Sequence, residues 1–377
     1  MIRDSNRIAF LELLKASLFQ HNPAFPSDLD WAEILDIAKK QTVVALAAQS
    51  IPVEYTELWK KDSLMCISNN VRNQYEQKRI LDIFQSNNIP VVVIKGTSAA
   101  MYYPEPYRRT MGDIDLLVPG KYYDDAKMLL MEDGFQFKKE DERNSVFIKR
   151  SIILELHYRF SSIDKDIEDV IREGMLHPKM YQIGNFSFPG LPPYVNGLVL
   201  LDHVRQHLVG SGLGCRQVID WMMFVHTELN DEAWMNNFKT MAQDAGLETL
   251  AITLTKMCKQ YLGLPDPITW CDEGNSDLCE MVLECLFSDG NFGRERPATE
   301  IVRRDMKQHG TFQYLQYAGL ENWNAAQKHS FLRPFAWIYQ IYRYFRKGII
   351  RMRQGDRVLG GFSAGAKKDV MLKRLGI

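Results

Sequence analysis

The chain has 377 residues, 46% apolar and 25% charged, with a net charge of −1; these ordinary values exclude a disordered, collagen-like or fibrous protein. At roughly 150 residues per domain, the length predicts two or three packed units with real cores. The longest apolar runs, such as 91–94 and 198–201, fall far short of the roughly 20 residues a membrane-spanning helix needs. The mixed charge of residues 1–7 does not read as a secretory signal, so a cytoplasmic location is expected.

From Arg7 to about Phe84, apolar residues recur at spacings of three and four: Ile8, Leu11, Leu14 and Leu18, then Trp31, Ile34, Leu35 and Ile37. That period predicts a helical lead-in over 1–88, with Ser27 and Asp28 offering caps before the second helix.

Over 89–160 the period changes. Val91-Val92-Val93-Ile94 reads as a buried strand, introduced by Asn87-Asn88-Ile89-Pro90 and closed by Lys95-Gly96-Thr97. Residues 98–103 look helical until Pro104 and Pro106 break them. Residues 113–118 return to strand before Pro119-Gly120, 122–132 form a helix closed by Gly134, and strands follow near 135–139, 145–149 and 152–158. This order describes a small mixed α/β unit.

Over 161–330 the helical period dominates again, most clearly at 198–208, 216–228, 234–245 and 250–262. Residues 210–214 are a glycine-rich break, 184–193 a loop or hairpin, and 272–299 a long loop with room for a helix at 278–286. The last segment, 331–377, carries eleven Lys or Arg against only Asp356 and Asp369. Its stripe of Phe331, Phe335, Ile338, Tyr342, Phe345 and Ile349 predicts a basic aromatic helix and tail whose aromatic face docks on the protein's own body. An anionic surface or polyanion is the other partner such a segment fits.

The six cysteines form no CxxC pair, which argues against a zinc ribbon or a disulfide scaffold. His203 and His207 are four apart on an expected helix but have no HExxH glutamate and no evident third ligand.

The most informative residues are Asp113 and Asp115. At i and i+2 of a strand they point the same way, roughly 7 Å apart, where two carboxylates repel by about 2–3 kcal/mol at an effective dielectric of 20. A divalent cation between them relieves that repulsion, with Mg²⁺ the expected guest. For a bare DxD the better account is that Asp113 caps the strand and Asp115 is a solvated face residue, but here the neighbouring strand residues are apolar and a glycine turn precedes the pair, which reverses the weighting. In Ile153-Leu154-Glu155-Leu156-His157, Glu155 and His157 share one face, so Glu155 can supply a third carboxylate. Gly96, between strand and helix, sits where main-chain N–H groups can meet a phosphate.

Together, Lys95-Gly96-Thr97, Tyr103-Pro104, Arg109, Gly112-Asp113-Ile114-Asp115-Leu116-Leu117-Val118 and Glu155-Leu156-His157 resemble the bacterial uncharacterised nucleotidyltransferase family of the polymerase-beta-like superfamily. That superfamily's pattern is an apolar residue, Gly, then Gly or Ser, a helical turn, Asp-apolar-Asp or Glu, and a third acid on a later strand. Thr97 stands in the Gly/Ser position, which keeps a hydroxyl but adds a branch at Cβ, and the spacing from Thr97 to Asp113 is slightly long. The resemblance is most specific over 89–160 and continues through His203, His207, Gly212, Arg216, Asp220 and Arg333-Pro334.

The resemblance implies an α+β fold, with a small mixed-sheet catalytic domain embedded between helical segments. It implies transfer of a nucleoside monophosphate from an NTP to an acceptor hydroxyl, with release of pyrophosphate and two Mg²⁺ ions. Asp113 and Asp115 would hold the metals, and Glu155 would be third ligand or general base. Gly96 and Thr97 would hold the β- and γ-phosphates, while Lys95, Arg108 and Arg109 are candidates to neutralise the leaving pyrophosphate. His157, Arg216 and Asp220 are candidate substrate contacts. His157 is equally a hydrogen-bonded core histidine, and an Arg216–Asp220 intrahelical ion pair is the default account of that spacing. The alternatives are a non-catalytic, antitoxin-like nucleotide binder of the same fold, or a membrane-surface or polysaccharide-locus partner acting through its basic tail.

Overall fold

The computed structural model describes residues 4–160, 165–210, 212–265, 267–289, 310–353 and 360–377. The chain divides into two units, Met1–Phe292 with Leu375–Ile377, and Gly293–Arg374.

The first unit opens with helices α1 (Ser5–Phe19), α2 (Trp31–Lys40), α3 (Val44–Ala47) and the long α4 (Thr56–Ser86). Asp4 caps α1 by accepting from the amides of Asn6 and Arg7, which satisfies donors that a helix start leaves unpaired. The cap of α2 is Asp30, not Ser27 or Asp28: its carboxylate accepts from Ala32 and Glu33.

Then come β1 (Val92–Val93), α5 (Gly96–Ala100), β2 (Ile114–Leu117), α6 (Tyr123–Glu132), β3 (Gln136–Glu140), β4 (Asn144–Lys149), β5 (Ile152–His157) and α7 (Lys165–Leu176). The segment read as a loop or hairpin is part of one: β6 (Lys179–Ile183) and β7 (Phe186–Gly190) pair antiparallel, and β7 joins β1 in parallel. The result is a mixed seven-stranded sheet of order β3-β4-β5-β2-β1-β7-β6.

Alternation along the central strands divides their residues between two faces. Ile114, Leu116, Leu154 and Leu156 join Ile80, Leu81 and Phe84 of α4 and Ala126 and Leu130 of α6 in one apolar core. The intervening residues, Asp115, Glu155 and His157, leave from the opposite face.

After the sheet the chain is helical: α8 (Pro193–Val209), α9 (Cys215–Glu228), α10 (Asp231–Ala233), a π-helical turn (Trp234–Phe238), α11 (Lys239–Asp244), α12 (Glu248–Leu262) and α13 (Ser276–Asp289). Gly197 lets α8 and α9 approach closely, because a Cβ there would lie 2.2 Å from the Phe224 ring. The helix expected inside the long loop is α13, and 290–299 of that loop lie outside the described residues.

The second unit holds helices Thr311–Asn322, Asn324–Lys328 and Ala336–Arg353 and all but the last residue of the helix Gly360–Leu375. Gly319 meets Ala336, whose carbonyl oxygen a Cβ would approach to 2.0 Å. Trp323 stacks on Tyr339 with ring centroids 5.0 Å apart. Phe331, Phe335, Ile338 and Tyr342 of the aromatic stripe are exposed; the side chains of Phe345 and Ile349 lie outside those described. Among the described residues, no helix is long and apolar enough to cross a membrane.

Candidate active site

The site begins with a strand register. β2 and β5 run parallel with Asp115 opposite Glu155 and Leu117 opposite His157. Strand alternation then puts Asp115, Glu155 and His157 on one face. One ligand atom from each lies within 4.8 Å of the others. Asp113 precedes the first residue of β2 and is half-buried.

His157 Nε2 lies 3.0 Å from Asp115 Oδ1 and 3.4 Å from Glu155 Oε2. An ionised carboxylate only accepts, so the proton of the shorter contact sits on Nε2. His157 is therefore a buried hydrogen-bonded histidine and also part of the acid group. Asn144, which sequence reasoning missed, donates from Nδ2 to Glu155 Oε2 at 2.9 Å. It stands opposite His157 in the antiparallel β4–β5 ladder, a register that spacing along the chain does not reveal.

Lys95 reaches the same oxygens. Its Nζ is 2.8 Å from Asp115 Oδ1 and 4.0 Å from Glu155 Oε2, and it lies over the Phe160 ring, 5.7 Å from the centroid. The strained residue of the turn is Lys95, at φ +50°, rather than Gly96, where a Cβ would make only ordinary contacts. The Lys95 carbonyl accepts from the Ala99 amide at 2.7 Å and the Ser98 hydroxyl at 2.9 Å, which holds that conformation.

Thr97 is buried and turned away from the acids. Its hydroxyl donates to Gln77 Oε1 on α4 at 2.7 Å. Another α4 residue, Asn70, sets the approach to Asp113: its Nδ2 donates to the carbonyls of Tyr107 and Arg109, and its Oδ1 accepts from the Met111 amide. Arg108 reaches the Ala45 carbonyl and Glu105.

The helical side contributes a buried charge pair. Arg109 donates from Nε and Nη2 to the two Asp220 oxygens, each at 2.7 Å, and Tyr103 donates its hydroxyl to the same carboxylate at 2.7 Å. Such a bidentate pair fixes geometry as well as charge. Both oxygens of Asp220 are thus engaged by residues outside its own helix, and Arg216, one turn before it, feels the same charge. Arg216 donates from Nη1 to the Thr110 carbonyl at 3.1 Å.

His203 and His207 face each other with their Nε2 atoms 3.0 Å apart. His207 Nδ1 donates to the Gly212 carbonyl at 3.0 Å, and Gln217 donates to His207 Nε2 at 3.3 Å. Among the described residues, neither histidine lies in a group with two further His, Cys, Asp or Glu side chains.

The charges are strongly coupled. Burial, Asp115 and Glu155 push the Asp113 carboxyl up to about 6, against the opposing pull of Lys95 and Arg216. Burial would also raise Asp115, but Lys95 and the His157 hydrogen bond outweigh it and hold that carboxyl well below the usual range. Burial lowers Lys95, yet Asp115, Glu155 and Asp113 together raise it. Burial pushes His203 well down and His207 down to about 4. Both histidines feel the charges of Lys95 and Arg216. Burial and Arg109 lower Arg216.

Asp115 and Glu155 offer carboxylate oxygens suited to a divalent cation such as Mg²⁺ or Mn²⁺, and His157 Nε2 could join them as a ligand only after giving up the proton it donates to Asp115.

Residues 27–263 match the family described as "Uncharacterised nucleotidyltransferase". Among solved structures, the chain is similar to the antibiotic-resistance factor ANT(2'')-Ia in solution, at 10% identity over 46% of this chain and 91% of that one, with a TM-score of 0.36. The same factor in complex with adenylyl-2''-tobramycin matches at 11% identity over 45% and 97%, with a TM-score of 0.35. An antigenic nucleotidyltransferase-like protein from Paracoccidioides brasiliensis matches at 14% identity over 51% and 92%, with a TM-score of 0.35. No curated protein matches the chain.

Proposed function

Since the chain belongs to the uncharacterised nucleotidyltransferase family over residues 27–263, and is thereby an enzyme of nucleotidyl transfer, we propose that it moves a nucleoside monophosphate from an NTP to an acceptor hydroxyl in a Mg²⁺-dependent reaction. The observation that carries this reading is the pairing of Asp115 with Glu155 across β2–β5, which brings two carboxylates and His157 into one ligand-sized group.

Asp115 and Glu155, with Asp113 beside them, are the residues that would hold divalent ions. Bound there, such ions supply charge neutralisation of the triphosphate and a lowered pKa for the acceptor hydroxyl. His157 keeps Asp115 in place through its Nε2 proton, and Asn144 fixes Glu155 from the neighbouring strand. Gly96 and Thr97 meet phosphate oxygens through their main-chain amides at the start of α5, because the Thr97 hydroxyl is committed to Gln77. Lys95 and Arg216 provide the positive charge nearest the leaving pyrophosphate. Arg109 contributes through its field on Asp115 and as a clasp between the 103–110 loop and α9, since its fork is occupied by Asp220. The acceptor enters beside α9, where Arg216 feels the charge of Asp113.

The test is pyrophosphate release by the full chain with Mg²⁺, the four NTPs, and a panel of acceptors spanning sugars, aminoglycosides, hydroxyl-bearing peptides and RNA. Wild type is expected to release pyrophosphate with at least one acceptor, and Asp115→Asn to lose at least 100-fold of that rate, about 2.7 kcal/mol of barrier. Nucleotide binding by both proteins with no release by either sinks the proposal in favour of a non-catalytic binder.

A further inference from the structure

Lys95 and His157 converge on the same two oxygens, Asp115 Oδ1 and Glu155 Oε2, with Lys95 Nζ at 2.8 and 4.0 Å. We propose that Lys95 is the resident counter-cation of the acidic seat, and that a divalent ion takes the seat by displacing its ammonium group. The inference rests on the metal-dependent reading above and says how this chain prepares for the metal.

Three observations carry it. First, the ammonium sits on the ligand atoms themselves. A Mg²⁺ or Mn²⁺ ion approaches a carboxylate oxygen to about 2.1 Å, so an ion on Asp115 Oδ1 and the ammonium now 2.8 Å from that oxygen crowd two positive charges into adjoining positions. Second, the acids need a cation to coexist. Asp115 Oδ1 and Glu155 Oε2 close on one point, both within 3.4 Å of His157 Nε2 and within 4.0 Å of Lys95 Nζ, and Lys95 is the cation that stands between them.

Third, the lysine is built so that its head can leave while its root stays. The main chain at Lys95 is held at φ +50° by hydrogen bonds from Ala99 and Ser98 to its carbonyl. The side chain beyond it is a flexible four-carbon stem ending in a compact charge. The Phe160 ring, 5.7 Å from Nζ, gives the ammonium an electron-rich neighbour as it moves. Displaced, the ammonium remains anchored one residue before Gly96 and Thr97, where the triphosphate is placed in the proposed reaction.

The test measures Mn²⁺ binding to the nucleotide-free full chain by calorimetry or by the paramagnetic signal of free Mn²⁺. Lys95→Met is expected to bind Mn²⁺ at least tenfold more tightly than wild type, with a lower melting temperature in EDTA that Mn²⁺ restores. Lys95→Gln serves as the second variant should the first fail to fold. In wild type, amine labelling mapped by mass spectrometry is expected to rise several-fold at Lys95 when Mn²⁺ is added, because the buried ion pair opens. Mn²⁺ affinity in the folded variants equal to or weaker than wild type, or Lys95 labelling unmoved by saturating Mn²⁺, overturns the inference. Loss of Mn²⁺ binding in Asp115→Asn alongside either result leaves the metal seat standing and removes only the role of Lys95. If neither wild type nor the Lys95 variants take up Mn²⁺, the seat and the inference fall together.

Discussion

Asp115 and Glu155 are direct partners in a parallel strand pair, Asp115 opposite Glu155 with no residue of offset. Two strands joined through α6, β3 and β4 thereby deliver their carboxylates to the same level of the same face. His157 and Lys95 reach both carboxylates and lie nearer Asp115, while Asn144 donates to Glu155.

Asn144 donates to Glu155 Oε2 from the neighbouring strand at 2.9 Å. Asn144→Ala is expected to lower Mn²⁺ affinity or pyrophosphate release by about 10–100-fold, the usual cost of losing a group that orients a ligand, with an unchanged circular dichroism spectrum. An effect below twofold on both readouts would show that Glu155 is positioned by its strand alone.

The Arg109–Asp220 pair is buried on both sides, with side-chain exposures of 3% and 2%. Removing one partner leaves the other charge buried and unpaired, so Arg109→Met or Asp220→Leu alone is expected to destabilise the fold by about 3–5 kcal/mol. The double variant is expected to recover a large part of that loss, and urea denaturation of the four proteins gives the coupling energy. Additive losses would mean that the two side chains do not act as a pair.

Thr97→Val deletes the hydroxyl donated to Gln77 while keeping the side-chain volume. The expected result is a stability loss of about 1–3 kcal/mol from the buried acceptor left without its donor, with nucleotide affinity within twofold of wild type. A large loss of nucleotide affinity at unchanged stability would place the hydroxyl on a phosphate.

His207 is expected to make the protein acid-sensitive. Its folded pKa is depressed from 6.5 to about 4 by burial in a setting that includes His203, Gln217, Arg216, Lys95, Asp220 and the Gly212 carbonyl. For a depressed value, the unfolded chain binds the extra proton. Stability is therefore full above pH 6.5 and declines as pH falls toward 4, by on the order of 3 kcal/mol. His203, also depressed, adds in the same direction, while Asp113, raised to about 6, works against both over the same interval. Denaturant midpoints at pH 7 and 5 are expected to differ less in His207→Gln than in wild type; an equal difference would assign the acid sensitivity elsewhere.

Much of the central unit was legible because its chemistry is local. Period-two alternation located β3, β4 and β5 to within about a residue at either end, and put Glu155 and His157 on one face. The short run 91–94 contracts to the two-residue β1, and Asp113 falls just ahead of β2, so the two aspartates are neighbours at a strand entrance rather than mid-strand partners. The hairpin β6–β7 was harder to read, because its residues alternate poorly around Pro189 and Gly190, and its attachment to β1 depends on a partner far away in the chain.

By itself, then, the amino-acid order determined which residue types could do chemistry and which of them share a strand face, since both follow from composition and from the fixed geometry of an extended backbone. Tertiary structure decided who meets whom. It set Asp115 against Glu155, drew Lys95 onto both, turned Thr97 toward α4 and committed Arg109 to Asp220. Those choices depend on strand register and helix docking, which arise from burying apolar faces formed by distant stretches of chain, and no spacing within one stretch encodes them.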